Sequence, residues 1–308
     1  MRFELPFVED DIIRARAVPI TPKLLANAQF EGIRAALCYW VFHLKAVIQS
    51  LLDRKPREQA ILGLFYRVMG YVASIRRLNA PVHFQAIASA ARSLFELGLD
   101  MAFFSQDKTD DSLGRIPAFT RVERYRVAKK IKDFYANRPA PSDHDLSVIQ
   151  AFVTDSAGTA AVEALVEKYW GRDKKGRLIW PKHWSAFPDT RVRARRVGGP
   201  WEERYVQYYY KLSWYMHSGL TGVADIPKDL FDALAAQAFQ LSKDVILDCY
   251  RIIGEELQLA LAIPGWISHL HFLEHIVGMA LVDGRLQALG EPARLLYLEP
   301  HEREPDFF

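Results

Sequence analysis

An all-α fold, an irregular bundle of about eight or nine helices without significant sheet, is what the sequence predicts, on three observations. Apolar residues recur at three- and four-residue steps through most of the chain, the spacing that lines one face of a helix. No stretch alternates with period two over a useful length; 178–180 comes nearest and is too short for a strand. Half of the 308 residues are apolar and a quarter are charged, the balance of a chain that builds a large core.

The elements follow in order. Leu24, Ala28, Ile33, Leu37, Trp40, Leu44, Ile48 and Leu51 form the stripe of a long first helix, which Pro56 ends. A second helix restarts near Arg57 and carries Ile61, Phe65, Val68, Val72 and Ile75. Asn79 reads as an N-cap with Pro81 just inside the third helix, 82–104, which is apolar nearly all round and belongs in the middle of the bundle. Gly114 and Pro117 open a polar helix over 119–135, and a proline-rich loop at 138–142 leads into one helix over 143–170. The stretch 171–200 is the least regular. A helix resumes at Trp201 and ends at His217-Ser218-Gly219, where the glycine suits a C-terminal cap. Pro227 starts an amphipathic helix over 228–262, and Pro264-Gly265 turns the chain into a last helix ending near Leu289. The reading is one all-α domain over 1–308: a helical flank at 20–80, a motif-bearing core at about 82–222, a helical pair at 226–290 and a loose tail at 292–308.

Composition narrows the function classes. Forty basic against thirty-seven acidic side chains leave a net charge of +3, too mild by itself to announce a polyanion partner. Two cysteines, Cys38 and Cys249, argue against a disulfide framework and suit a cytoplasmic protein. The first eleven residues have no apolar run of the signal-peptide kind. The most apolar candidate span, 33–52, is interrupted by Arg34, His43 and Lys45, so no membrane partner is expected. Phosphate loops, dinucleotide fingerprints, nucleophile elbows and paired C-x-x-C motifs are missing from the sequence, and no cofactor is predicted.

Four constellations carry chemistry. Arg92, Glu96 and Asp100 share one face of the most apolar helix, where ionised groups need partners: either a polar site sunk into the bundle or an ion pair bridging helices. Tyr205, Tyr209, Ser213 and His217 follow at four-residue steps, within a stretch where seven of the fifteen residues 201–215 are Trp or Tyr. Aromatic crowding of that kind serves core or interface. His217, at the predicted helix end, suits acid or base chemistry, or else simply hydrogen-bonds the last carbonyls. Third, His271-Phe-Leu-Glu274-His275 matches the H-x-x-E-H spacing of inverted zinc peptidases, although only 33 residues remain to supply a further ligand. Fourth, 172–196 holds nine Lys or Arg against two Asp, with Trp180, Trp184 and Trp201 nearby: a possible RNA contact, or a solvated loop.

The segments Arg92-Ser-Leu-Phe-Glu96, Arg121-Val-Glu-Arg-Tyr125, His183-Trp184-Ser185 and Tyr209-Tyr-Lys-Leu-Ser213-Trp-Tyr-Met-His217-Ser218 together resemble a widespread bacterial family of unknown function. That family carries R-S-x-x-E, R-x-x-x-Y, a W-S pair and Y-x-x-x-S-x-x-x-H. The resemblance implies that Arg92, Glu96, Tyr125, Trp184, Ser213 and His217 belong to one cavity, and it supplies no reaction. The chain departs from the pattern after the W-S pair, where a glycine is usual and Ala186 stands.

A looser similarity points to the HEPN ribonucleases, helical bundles with a polar residue on an early helix and R-x(4–6)-H later. Here Lys211 and His217 have five residues between them, lysine replacing the arginine. The similarity implies a metal-independent ribonuclease of a defence or toxin type. His217 would move the proton, and Lys211 or Arg92 would stabilise phosphoryl charge, with Glu96 and Ser213 beside them. Tyr209, Tyr125, Trp184, Ser185, Arg193 and Arg195 would contact RNA, in a site shared by a homodimer. The alternatives are a non-catalytic helical module, binding a protein or small molecule through the aromatic helix, and a zinc hydrolase at His271, Glu274 and His275.

Overall fold

The computed structural model describes residues 7–50, 55–78, 83–139, 142–152, 156–187, 189–217, 228–263 and 265–294. The described residues are 80% helical and contain twelve helices and no strand or sheet, so the all-α class holds and the helix number exceeds the eight or nine read from periodicity. In order these are α1 (Glu9–Arg16), α2 (Pro22–Tyr39, continuing through a π turn, Trp40–Leu44, to Lys45–Ser50), α3 (Pro56–Ile75) and α4 (Phe84–Gln106). Next come α5 (Asp110–Tyr135), α6 (Asp143–Phe152), α7 (Ser156–Trp170) and α8 (Thr190–Val197). The last are α9 (Pro200–Arg204, a π turn at Tyr205–Tyr209, then Tyr210–His217), α10 (Lys228–Glu256), α11 (Leu259–Ala262) and α12 (Trp266–Ala288).

Two of the additional helices, α1 and α8, rest on a charge or a cap, not on an apolar stripe. Glu9, Asp10 and Asp11 occupy the first turn of α1, with Arg14 and Arg16 in the last, each sign matching the helix dipole. In the stretch read as irregular, the Asp189 carboxylate accepts from the backbone N–H of Arg191 (2.7 Å) and Val192 (3.3 Å) and so starts α8. The expected single helix over 143–170 is two, α6 and α7, and α5 begins nine residues before 119. Pro117 therefore lies inside α5 and does not open it. Gly114 also lies within that helix, where a Cβ would collide with the Tyr169 ring. The readings at Asn79, Pro81, Ser218, Gly219, Pro227 and Pro264, and the tail from 295, lie outside the described residues.

The chain divides into two compact units: Asp107–Arg193, and the remainder before and after it. In the larger unit α2 packs on α10 and α12, and α4 packs on α3, α9 and α10. Ile87, Leu94, Phe95, Leu99 and Phe104 of α4 are fully buried. Gly98 sets the approach distance: a Cβ there would lie 2.5 Å from Val245 Cγ1 and 2.9 Å from the Trp201 ring. In the smaller unit α6 and α7 pack on α5, around Val122, Tyr125, Ala128, Val162 and Val166. No helix among the described residues is long and apolar enough to cross a membrane.

Candidate functional site

Three side chains from two helices meet at the α4–α9 contact. The Arg92 Nε–H is shared between the Tyr209 hydroxyl (3.0 Å) and Glu96 Oε1 (3.2 Å). Tyr209 in turn donates its proton to the same carboxylate oxygen. The guanidinium stands 5.3 Å from the Tyr209 ring centroid, close enough for a cation–π contribution. Tyr209 is buried, wedged between Phe95 (5.0 Å) and Tyr205 (5.1 Å), whereas the Arg92 and Glu96 side chains are 25% and 37% exposed. Burial works against the guanidinium's charge, but the Tyr209 hydroxyl and the Glu96 carboxylate outweigh it and hold the arginine pKa above its ordinary value. The ion pair lies within α4, one turn apart; Tyr209 alone links it to α9, and both charged side chains reach solvent. Asp100, one turn further along α4, is half-buried.

Helix α9 aims Tyr209 at Arg92 because its backbone widens into a π turn at Tyr205–Tyr209, a single-turn device frequent at functional sites. Ser213 donates to the Tyr209 carbonyl at 2.9 Å and stays on its own helix. Lys211 is exposed. The backbone of His217 closes α9, and its side chain lies outside the described residues.

The remaining nominated residues belong mostly to the smaller unit and have local partners. Tyr125 is buried, stacks on Trp180 (5.9 Å, 13° between planes) and donates to Thr159 Oγ1 at 3.4 Å. Trp184 is buried against His183. Ser185 is buried with its hydroxyl 2.8 Å from His183 Nδ1, and it accepts the Phe187 N–H at 3.3 Å. Ala186, next in sequence, adopts φ +64°, the left-handed conformation that favours glycine. Arg193 is buried and donates to the Phe187 carbonyl (3.2 Å) and Thr190 Oγ1 (3.3 Å). Arg195 sits on the larger unit's side of the boundary and pairs with Glu202 at 3.0 Å. Within the basic stretch, Arg172 holds Glu167 through two bonds and Arg177 holds Asp173. Lys174, Lys175, Lys182 and Arg191 are exposed.

His271 and His275 lie exposed on α12, and Glu274 between them accepts from Arg251 at 2.8–2.9 Å. A carboxylate held by a guanidinium is not poised to activate a metal-bound water. Among the described residues no group of three or more His, Cys, Asp or Glu is placed to hold a metal ion. The Arg251–Glu274 pair continues to Asp248, which also takes Arg204 of α9. Sequence reading missed this ionic chain; the three-residue step from Asp248 to Arg251 is the one signal that could have flagged it.

With this geometry in view, comparison with known families finds one match: Family of unknown function (DUF5677), over residues 58–228. The match covers more than half of the 308 residues. The chain belongs to this family. Neither the curated proteins nor the solved structures give a match. In this DUF5677 member the family segment runs from the first turn of α3 through α9 and contains Arg92, Glu96 and Tyr209.

Proposed function

We propose that this protein is a metal-independent ribonuclease of the HEPN kind, whose site is built on the α4–α9 contact. The observation that carries the reading is the Arg92–Tyr209–Glu96 cluster: a guanidinium tied to the helix that ends in His217, eight residues beyond Tyr209. Arg92 is locked in orientation by two acceptors and still reaches solvent, as a group that receives a phosphodiester anion must. In the proposed reaction His217 takes the proton from a ribose 2′-hydroxyl. The 2′-oxygen then attacks phosphorus as the P–O5′ bond breaks, and the 5′-oxygen takes a proton from water, giving a 2′,3′-cyclic phosphate. Arg92 and the exposed Lys211 balance the charge that builds on the phosphoryl oxygens.

The test is cleavage of a labelled RNA pool by purified protein in EDTA. His217→Ala is expected to lower the rate by about 100-fold or more, the usual weight of a general acid or base. Arg92→Lys keeps the charge but loses the planar fork, and is expected to fall well below wild type. Wild-type protein that cleaves no RNA under any salt condition overturns the reading.

One observation favours the second reading, a non-catalytic binding module. Val206, Tyr210 and Trp214 recur at four-residue steps on α9 and are 57%, 66% and 57% exposed. Large apolar side chains in a row at the surface suit a partner protein. Loss of a co-purifying partner in Tyr210→Ala/Trp214→Ala, with RNA untouched by wild type, would select it.

A further inference from the structure

Three helices that lie outside the family segment but for one residue, α2, α10 and α12, leave a cavity that neither the polar cluster nor the ionic chain uses. It measures about 730 Å³ and lies between the first half of α2, the start of α10 and the end of α12. Ligand sites for small molecules run from about 300 to 1,000 Å³ and are mostly apolar with a few polar groups. The walls fit that description. Phe30 and Phe239 meet at 5.3 Å between centroids, and Phe231 is braced edge-on by Phe84 at 5.8 Å, so the rings are fixed in place.

Part of the lining is unusually small. Ala28, Ala280 and Gly284 lie on the lining. Small residues usually serve close helix approach, as Gly98 does where a Cβ would collide with Val245 and Trp201. Gly284 differs: a Cβ there would meet the Ala28 methyl at 3.8 Å, an ordinary contact. Helix packing does not require the missing side chain, and interiors otherwise close such gaps.

The charges around the cavity cancel. Lys23 and Arg34 stand against Glu31 and Asp232, and Arg34 is joined to Glu31 at 2.9 Å. An anion or cation entering would find as much repulsion as attraction, while an uncharged ring system gains the whole apolar wall. We propose that this cavity is a binding site for an uncharged, largely aromatic or alicyclic small molecule. It is independent of the ribonuclease reading, since its lining residues fall outside 58–228.

The test uses two matched fluorescent probes on the full chain. N-phenyl-naphthylamine is uncharged; anilinonaphthalenesulfonate carries the same rings with a sulfonate. The neutral probe is expected to bind saturably at one site and to raise the melting temperature. Gly284→Leu fills the space and is expected to weaken that binding by at least about ten-fold while raising the melting temperature of the unliganded protein. Gly284→Ala, whose methyl fits, retains binding. If Gly284→Leu loses its helical circular dichroism, Ala288→Leu, at an exposed lining position, takes its place with the same loss of binding expected. Absence of saturable binding, equal affinity in the filled variants, or equal affinity for the sulfonate would each overturn the proposal.

Discussion

The π turns of α2 and α9 are the same backbone device in opposite surroundings. In α2, Trp40 and Leu44 are each 1% exposed, and Trp40 lies edge-on to Phe65 (4.9 Å) and Tyr66 (5.6 Å). In α9, the turn runs from Tyr205 to Tyr209, Val206 points to solvent, and only Tyr209 is driven inward, onto Arg92 and Glu96. A widened turn frees a backbone carbonyl and re-aims side chains wherever it occurs. What it accomplishes depends on what it faces. Packing volume absorbs the first turn, while the second delivers a phenol to an ion pair.

That contrast can be broken from the buried side with the largest effect. Trp40→Ala removes a fully enclosed ring and is expected to cost about 3–5 kcal/mol in urea unfolding. Tyr209→Phe keeps the ring and removes only the hydroxyl between Arg92 and Glu96. Because both charged partners reach solvent, the expected cost is smaller, about 1–2 kcal/mol, and a double-mutant cycle with Glu96→Gln should show coupling. Equal losses in the two variants would mean that the two turns do the same work.

A third prediction lies in the smaller unit. Ala186→Gly relieves a left-handed alanine, and is expected to stabilise by up to about 1 kcal/mol. No gain in midpoint would argue that its neighbours, and not backbone strain, set the conformation. The fourth effect depends on pH. The Arg294 guanidinium and the Val8 N–H, with help from Arg14, hold the buried Asp11 carboxyl well below the usual carboxylate range. A carboxylate depressed in the folded state contributes stability above its unfolded pKa of ~4, and loses it as pH falls towards the folded value. Asp11→Asn should therefore flatten the acid limb of the stability curve below pH ~4 and lower stability at neutral pH.

The fold was legible wherever helices announce themselves by apolar spacing. The stripes of α2, α3, α4 and α10 stand in the sequence, and Pro56 sits at the first position of α3. Helices built on polar logic were not: α8 has Arg191, Arg193, Arg195 and Arg196 in eight residues, and its start rests on one aspartate side chain. Gly114 and Pro117 misled because both usually interrupt helices. Here one gives way to the Tyr169 ring and the other only removes a single N–H donor. At the site, the four-residue steps on α4 and α9 brought out Arg92, Glu96 and Tyr209. The pairing of Tyr209 with both depends on a π turn, which leaves no periodicity to read. The cavity was invisible for a related reason: part of its lining is unusually small, on helices more than 200 residues apart in the chain.

Cys38 and Cys249 are both buried, at 4% and 0% exposure, and burial pushes the Cys249 thiol well above its ordinary pKa. As the sequence holds no other sulfur of that type, a cysteine placed at Val206 or at Leu146 will react with a maleimide ahead of either native one. Spin labels at those two sites, one on each unit, then report inter-unit distance directly, with and without RNA, on an otherwise unaltered chain.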